Sequence, residues 1–199
     1  MFIINRFTCS PSNLKTTINR LKNNNLLPII DYVNENNSNI DKSINILKNS
    51  IINNKNNTFA LKLSTINTND FNTNISNISD ICLLAIKNNS KILIDAEDYL
   101  LQPQIEEITN HIMEKYNQED THIYKTYQMY RKDSVDTFLN DISKSRNYNI
   151  GFKIVRGAYM NQDKKYNIIC DSYNETNENY NNAIELFCKL NKLNDKLLC

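Results

Sequence analysis

Residues 91–128 read KILIDAEDYLLQPQIEEITNHIMEKYNQEDTHIYKTYQ: a short apolar run, a longer amphipathic one and a second short run. The first, Lys91–Asp95, has the length and β-rich composition of a strand. After Pro103, which suits a first-turn position, Ile105, Ile108, Ile112 and Tyr116 fall on one helical stripe. His122–Gln128 is strand-like again. The unit is strand, helix, strand.

The same alternation extends outward in both directions. Leu27–Val33 and Thr58–Ser64 precede it as strands and Ile150–Val155 follows. Val135, Phe138, Leu139 and Ile142 form one further helical stripe, and Tyr180, Ala183, Ile184, Phe187 and Cys188 form another. Strands separated by helices of this length build parallel sheets, either doubly wound or closed as a (β/α) barrel. A dinucleotide-binding doubly wound sheet carries a glycine-rich first turn, whereas this chain has two glycines, Gly151 and Gly157. The barrel is therefore favoured. A closed barrel has eight strands. The expected fold is α/β, an incomplete (β/α)8 TIM-like barrel of about five parallel strands. It forms a single domain over residues 1–199.

Composition excludes several functions. A formal charge of +1, from 23 basic and 22 acidic residues, supplies no field to hold nucleic acid or an anionic membrane. Five scattered cysteines without a CxxC pair argue against zinc and for a reducing intracellular compartment. His111 and His122 are the only histidines, and no metal-ligand spacing surrounds them. Asparagine makes up about a fifth of the chain, and its runs (23–25, 34–39, 53–57) are expected in loops or on exposed helix faces. The first thirty residues, basic at Arg6, Lys15, Arg20 and Lys22 and free of acids, have a presequence-like composition, but they also carry an apolar helical pattern.

Lys62, Asp95, Gln128 and Arg156 stand at the C-terminal ends of successive proposed strands, 33, 33 and 28 residues apart. One βα unit takes about 30 residues, so the spacing gathers one polar group per strand at the end where barrel enzymes keep their sites. Gly157, directly after a strand and a basic residue, suits close approach of a ligand to the backbone, or a turn cap. Asp95 could equally cap the next helix, and Lys62 could be a solvated strand-end lysine. Asp95 and Glu97 are not expected to act as a carboxylate pair. Tyr124, Tyr127 and Tyr130 are read as core or barrel wall.

Six blocks carry a resemblance: Ile29 to Glu35, Leu61-Lys62-Leu63-Ser64, Ile94-Asp95-Ala96-Glu97, Tyr124 to Tyr130 with Lys132-Asp133, Lys153-Ile154-Val155-Arg156-Gly157-Ala158-Tyr159, and Tyr173-Asn174-Glu175-Thr176-Asn177. In this order they resemble the proline dehydrogenase family, here its N-terminal five-strand part, so that the chain looks truncated: the resemblance implies a partial barrel domain lacking the family's last three strands and closing helix. The resemblance implies FAD-dependent oxidation of L-proline to 1-pyrroline-5-carboxylate, with electrons passed to a quinone, and admits a mitochondrial location. It implies that Lys62 lies beside the substrate carboxylate and that Asp95 is the active-site acid. Ala96, Gln128, Arg156, Gly157 and Ala158 would contact the flavin. Lys153 would stand near the reactive flavin nitrogen, where the family often has arginine; lysine keeps the charge and loses the planar fork. Two non-catalytic readings stand beside this one, an inactive remnant and an interaction protein that self-associates or takes a complementing chain through open barrel edges. A different, phosphate-binding barrel is the third.

Overall fold

A computed structural model describes residues 8–32, 39–144, 146–192 and 194–199. Helix α1 (Leu14–Asn23) precedes β1 (Ile29–Ile30), followed by α2 (Ile40–Asn53), β2 (Thr58–Leu61), α3 (Phe71–Lys87), β3 (Lys91–Ile94), α4 (Gln102–Tyr116) and β4 (Ile123–Gln128). Then come α5 (Ser134–Ser143), β5 (Gly151–Val155), the single turn α6 (Met160–Asp163), α7 (Tyr173–Leu190) and β6 (Lys196–Leu198). All strands run parallel in the order β1-β2-β3-β4-β5-β6. The result is an open, curled parallel sheet alternating with helices, a half-barrel.

The five strands read from the sequence are present and a sixth is added. Lys196 pairs with Gly151, Leu197 with Phe152 and Leu198 with Lys153, which corrects the expectation of a chain ending after five strands. Three residues carry no periodicity, so pairing alone reveals this strand. The first strand is shorter than Leu27–Val33: Pro28 has no N–H to give a ladder, and only Ile29 and Ile30 pair. Val33, with the rest of the 33–38 segment, lies outside the described residues.

Helix starts follow side-chain chemistry. Asn39 Oδ1 accepts from Lys42 N at 2.9 Å, Asp70 Oδ2 from Thr73 N at 2.7 Å, and Ser172 Oγ from Glu175 N at 3.1 Å. Pro103 sits in the first turn of α4, as its sequence position suggests. In a chain almost without glycine, every non-glycine residue of positive φ among those described is an asparagine: Asn25, Asn56, Asn89 and Asn167. Asparagine tolerates the left-handed region because its short polar side chain bonds locally. Asn117 is instead buried, its Oδ1 accepting from His122 N and Ile123 N and its Nδ2 donating to the Ile123 and Asn149 carbonyls. It ties the end of α4 to the starts of β4 and β5.

The central strands β2, β3 and β4 are buried on both faces, as a parallel sheet covered by helices requires, while the edge strands β1 and β6 are more open. Phe59, Ile92, Ile123 and Phe152 meet the helix layer, packing with Leu47, Ile81, Ile108, Ile112, Phe138 and Ala183. Cys188, read as part of the α7 stripe, is exposed; that stripe stops at Phe187. Lys125 confirms which way β4 faces. Its ammonium reaches Asp141 on α5 at 2.7 Å, and Tyr127 Oη donates to the same carboxylate at 2.7 Å. Alternation then turns Tyr124, Thr126 and Gln128 to the concave face. There Ala60, Leu93, Tyr124 and Gly151 come into register, and a Cβ on Gly151 would stand 2.6 Å from the Ile123 carbonyl oxygen. All three tyrosines at 124, 127 and 130 are buried wall residues.

Candidate functional site

Parallel strands deliver their C-terminal ends to one rim, where two ion pairs of this chain stand, Lys153–Asp95 and Lys62–Asp31. Thr126 pairs with Lys153, and Ile94 pairs with Lys125, so Asp95, one residue beyond Ile94, comes level with Thr126. Lys153 Nζ donates to Asp95 Oδ1 at 2.5 Å, bridging β5 and β3 across the concave face of β4. Thr126 closes the gap beneath, its hydroxyl donating to the Ile94 carbonyl at 2.8 Å. The two charged side chains keep 19% and 14% of their surface, so the pair is open enough to meet a ligand and dry enough to feel it.

One strand further, Lys62 Nζ donates to Asp31 Oδ2 at 2.7 Å. Burial pulls the Lys62 ammonium down, but the bond and charge of Asp31, helped by Asp95 and Tyr159, outweigh it and leave its pKa above the ordinary lysine range. Lys62 therefore carries a firm positive charge. The rim thus holds two ammonium groups, each already matched by a carboxylate of the chain. Asp31 was not singled out in the sequence, where it falls inside the run Leu27–Val33 read as a strand.

Gln128 is buried, and both ends of its amide are used. Nε2 donates to the Glu97 carbonyl at 2.8 Å, and Oε1 accepts from Ala158 N at 3.1 Å. It joins the segments leaving β3 and β5. Arg156 is exposed, its Nε donating to Asn177 Oδ1 at 2.6 Å and its guanidinium lying 4.2 Å above the Tyr180 ring. Among the described residues its terminal nitrogens have no hydrogen-bond partner. That open fork beside the exposed Ala158 suits an anionic group of a cofactor. Gly157 has φ +124°, and a Cβ there would lie 1.8 Å from Tyr130 Cδ1. Its lack of a side chain admits a ring of the chain itself. Ala96 is 7% exposed. Asp95 does not cap α4; Asp98 precedes that helix, accepting from Leu100 N at 3.0 Å. Among the described residues no group of side chains could hold a metal ion, and no helix is long and apolar enough to cross a membrane.

Glu97 forms no pair with Asp95 but is 3% exposed, its Oε1 accepting from Ser64 N at 2.9 Å. Burial raises its pKa above the ordinary carboxylate range; the Ser64 bond opposes this, and the charges of Asp95 and Asp98 add to it. A carboxyl held higher when folded contributes stability that is complete below its unfolded pKa and lost as pH rises through the folded one. The wild type is therefore expected to lose stability relative to Glu97→Gln as pH rises above about 4, the unfolded carboxyl's value. Urea midpoints of the two proteins at rising pH check this, and a constant difference would remove Glu97 from the pH response.

Three comparisons locate this arrangement among known proteins. Residues 14–195 match the profile of the family described as proline dehydrogenase. Mitochondrial proline dehydrogenase 1 of Caenorhabditis elegans is 36% identical over 97 residues, 48% of this chain and 16% of that protein. A hydroxyproline dehydrogenase of Xenopus laevis is 34% identical over 93 residues, 46% of this chain and 20% of that protein. The crystal structure of proline utilization A from Bdellovibrio bacteriovorus, inactivated by N-propargylglycine, superposes with a TM-score of 0.80 at 12% identity, covering 91% of this chain and 23% of its own. The matched segments are thus under a quarter of these proteins' lengths. Within this chain, however, the family match runs nearly end to end. With β6, that span overturns the expectation of a five-strand leading part.

Proposed function

Because the chain belongs to the proline dehydrogenase family, we propose that its rim cluster binds L-proline beside FAD and oxidises it to 1-pyrroline-5-carboxylate. The observation that carries this reading is the Lys153–Asp95 pair spanning three strands at the C-terminal rim, with Lys62 and Asp31 next to it. Flavin, when bound, supplies the acceptor for the hydride and its electron pair. Lys62 offsets the substrate carboxylate, which must share or displace Asp31. Asp95 fixes the direction of the Lys153 ammonium, and that ammonium stabilises negative charge gathering on the concave face. Arg156, backed by Tyr180, holds an anionic edge of the cofactor, and Gln128 holds the Ala158 amide at its place in the same surface. Ala96 and Gly157 contribute backbone to that surface. The family resemblance implies a quinone as final acceptor, and the mitochondrial relative from Caenorhabditis elegans supports the same compartment.

A second reading, a catalytically silent protein, is favoured by one specific fact: each rim ammonium already has a carboxylate of its own. Absorption spectra separate the two. Purified chain is mixed with FAD, desalted and titrated with L-proline. Retained flavin absorbance that bleaches with proline is the expected result. Flavin lost on desalting, or retained and unchanged by proline, would sink the catalytic reading.

A further inference from the structure

Asp163 lies outside the charged cluster, yet it is fully buried at the end of α6. Its Oδ1 accepts from Tyr99 N, in the segment leaving β3, at 2.9 Å. Its Oδ2 accepts from the Tyr130 hydroxyl, in the segment leaving β4, at 2.6 Å. Asp163 itself belongs to the segment leaving β5. No cation pairs with it among the described residues. A buried carboxylate of this kind is costly unless donors meet it, and here one fixed donor from each neighbouring segment does so.

We propose that Asp163 is a positioning residue that clamps these three segments together and, through Tyr130, fixes the place of Arg156, Gly157 and Ala158. Tyr130 transmits the constraint. Its ring, 1% exposed, fills the space beside the Gly157 Cα that any side chain would need. Its backbone N–H donates to the Arg156 carbonyl at 2.9 Å, and its carbonyl accepts from Cys170 N at 2.7 Å. Burial and then the Asp163 carboxylate push the Tyr130 phenol far above its ordinary pKa, so it remains a donor. A leucine would fill the same volume without specifying where two donors point. The carboxylate specifies both.

The importance of this for cofactor holding rests on the function proposed above; the clamp itself does not. Amide hydrogen exchange is measured on the purified full chain for wild type, Tyr130→Phe and Asp163→Asn, with FAD retention measured beside it. Tyr130→Phe keeps the ring on Gly157 and removes only the hydroxyl. Asp163→Asn keeps an acceptor for Tyr99 N and replaces the charge-assisted bond from the Tyr130 hydroxyl by a weaker neutral contact of reversed direction. Both variants are expected to speed exchange of the Tyr99, Tyr130 and Ala158 amides by about tenfold or more, while amides of β2 and β3 keep their rates. Retained FAD is expected to fall several-fold per folded molecule. Uniform acceleration along the chain, or none, would overturn the clamp. Local acceleration in a protein whose wild type holds no FAD would support the clamp and defeat the cofactor reading.

Discussion

Lys153→Met is expected to lower proline-dependent dye reduction by FAD-loaded protein about a hundredfold or more. The substitution keeps the length of the side chain and removes the charge that meets Asp95 at 2.5 Å. Two losses then coincide. In the proposed reaction the concave face loses a fixed positive group where negative charge gathers, and Asp95, 14% exposed, loses the ammonium bonded to it. Asp95→Asn is the softer partner change, since an amide oxygen still accepts from the Lys153 ammonium. It should cost less than Lys153→Met, and the double variant little more than the worse single one, because the two act as a unit. Steady-state rates at saturating proline decide the matter. A Lys153→Met rate within threefold of wild type would exclude the ammonium from the chemistry.

The largest effect on stability is expected elsewhere. Asp195→Ala should cost about 3–5 kcal/mol, because it strands a buried cation. Asp195 is 7% exposed; its Oδ1 accepts from Ile150 N at 2.8 Å and its Oδ2 from Lys192 N at 3.0 Å and from Arg146. The Arg146 side chain is 2% exposed, and its Nε already lacks a partner. Without Asp195 its guanidinium has only the carbonyls of Asp141, Ile142 and Lys144. Such a loss lowers a midpoint by about 10 °C in a domain of this size. Thermal melts followed by circular dichroism check it, with Asp195→Asn as an intermediate. A shift of only a degree or two would mean that the pair contributes little.

These two sites show what the sequence makes legible. Five strands and the α4, α5 and α7 stripes follow from periodicity, which is a property of residues near one another in the chain. Lys62, Asp95, Gln128 and Arg156 were legible as strand-end groups for the same reason, whereas Lys153, inside its strand, was marked only by the family resemblance. Register was not legible. That Lys153 reaches Asp95 over Thr126 depends on Ile94 facing Lys125 and Thr126 facing Lys153, a matter of pairing between distant segments. Asp31 went unmarked because its strand is two residues long and its partner lies in the next unit. Asp163, between Gln162 and Lys164, carries no signal of its own in the sequence. Only the approach of Tyr99 and Tyr130 gives it meaning. The sixth strand escaped because Lys196-Leu197-Leu198 is too short to show a period, and because Asp195, which secures it, bonds to residues 45 and more positions earlier.

The sequential order of the sheet has a kinetic consequence. Paired strands are separated by similar short intervals: Ile30 meets Phe59, Phe59 meets Ile92, Ile92 meets Ile123, and Tyr124 meets Gly151. No strand waits for a remote partner, so each loop closes at a similar entropic cost and the chain can fold by adding one βα unit to the next. The last interval, from Gly151 to Lys196, is the longest. Strand β6 is thus expected to dock last. Its clamp at Asp195 would then form after the rate-limiting step and act as a brake on unfolding, leaving the speed of folding almost untouched.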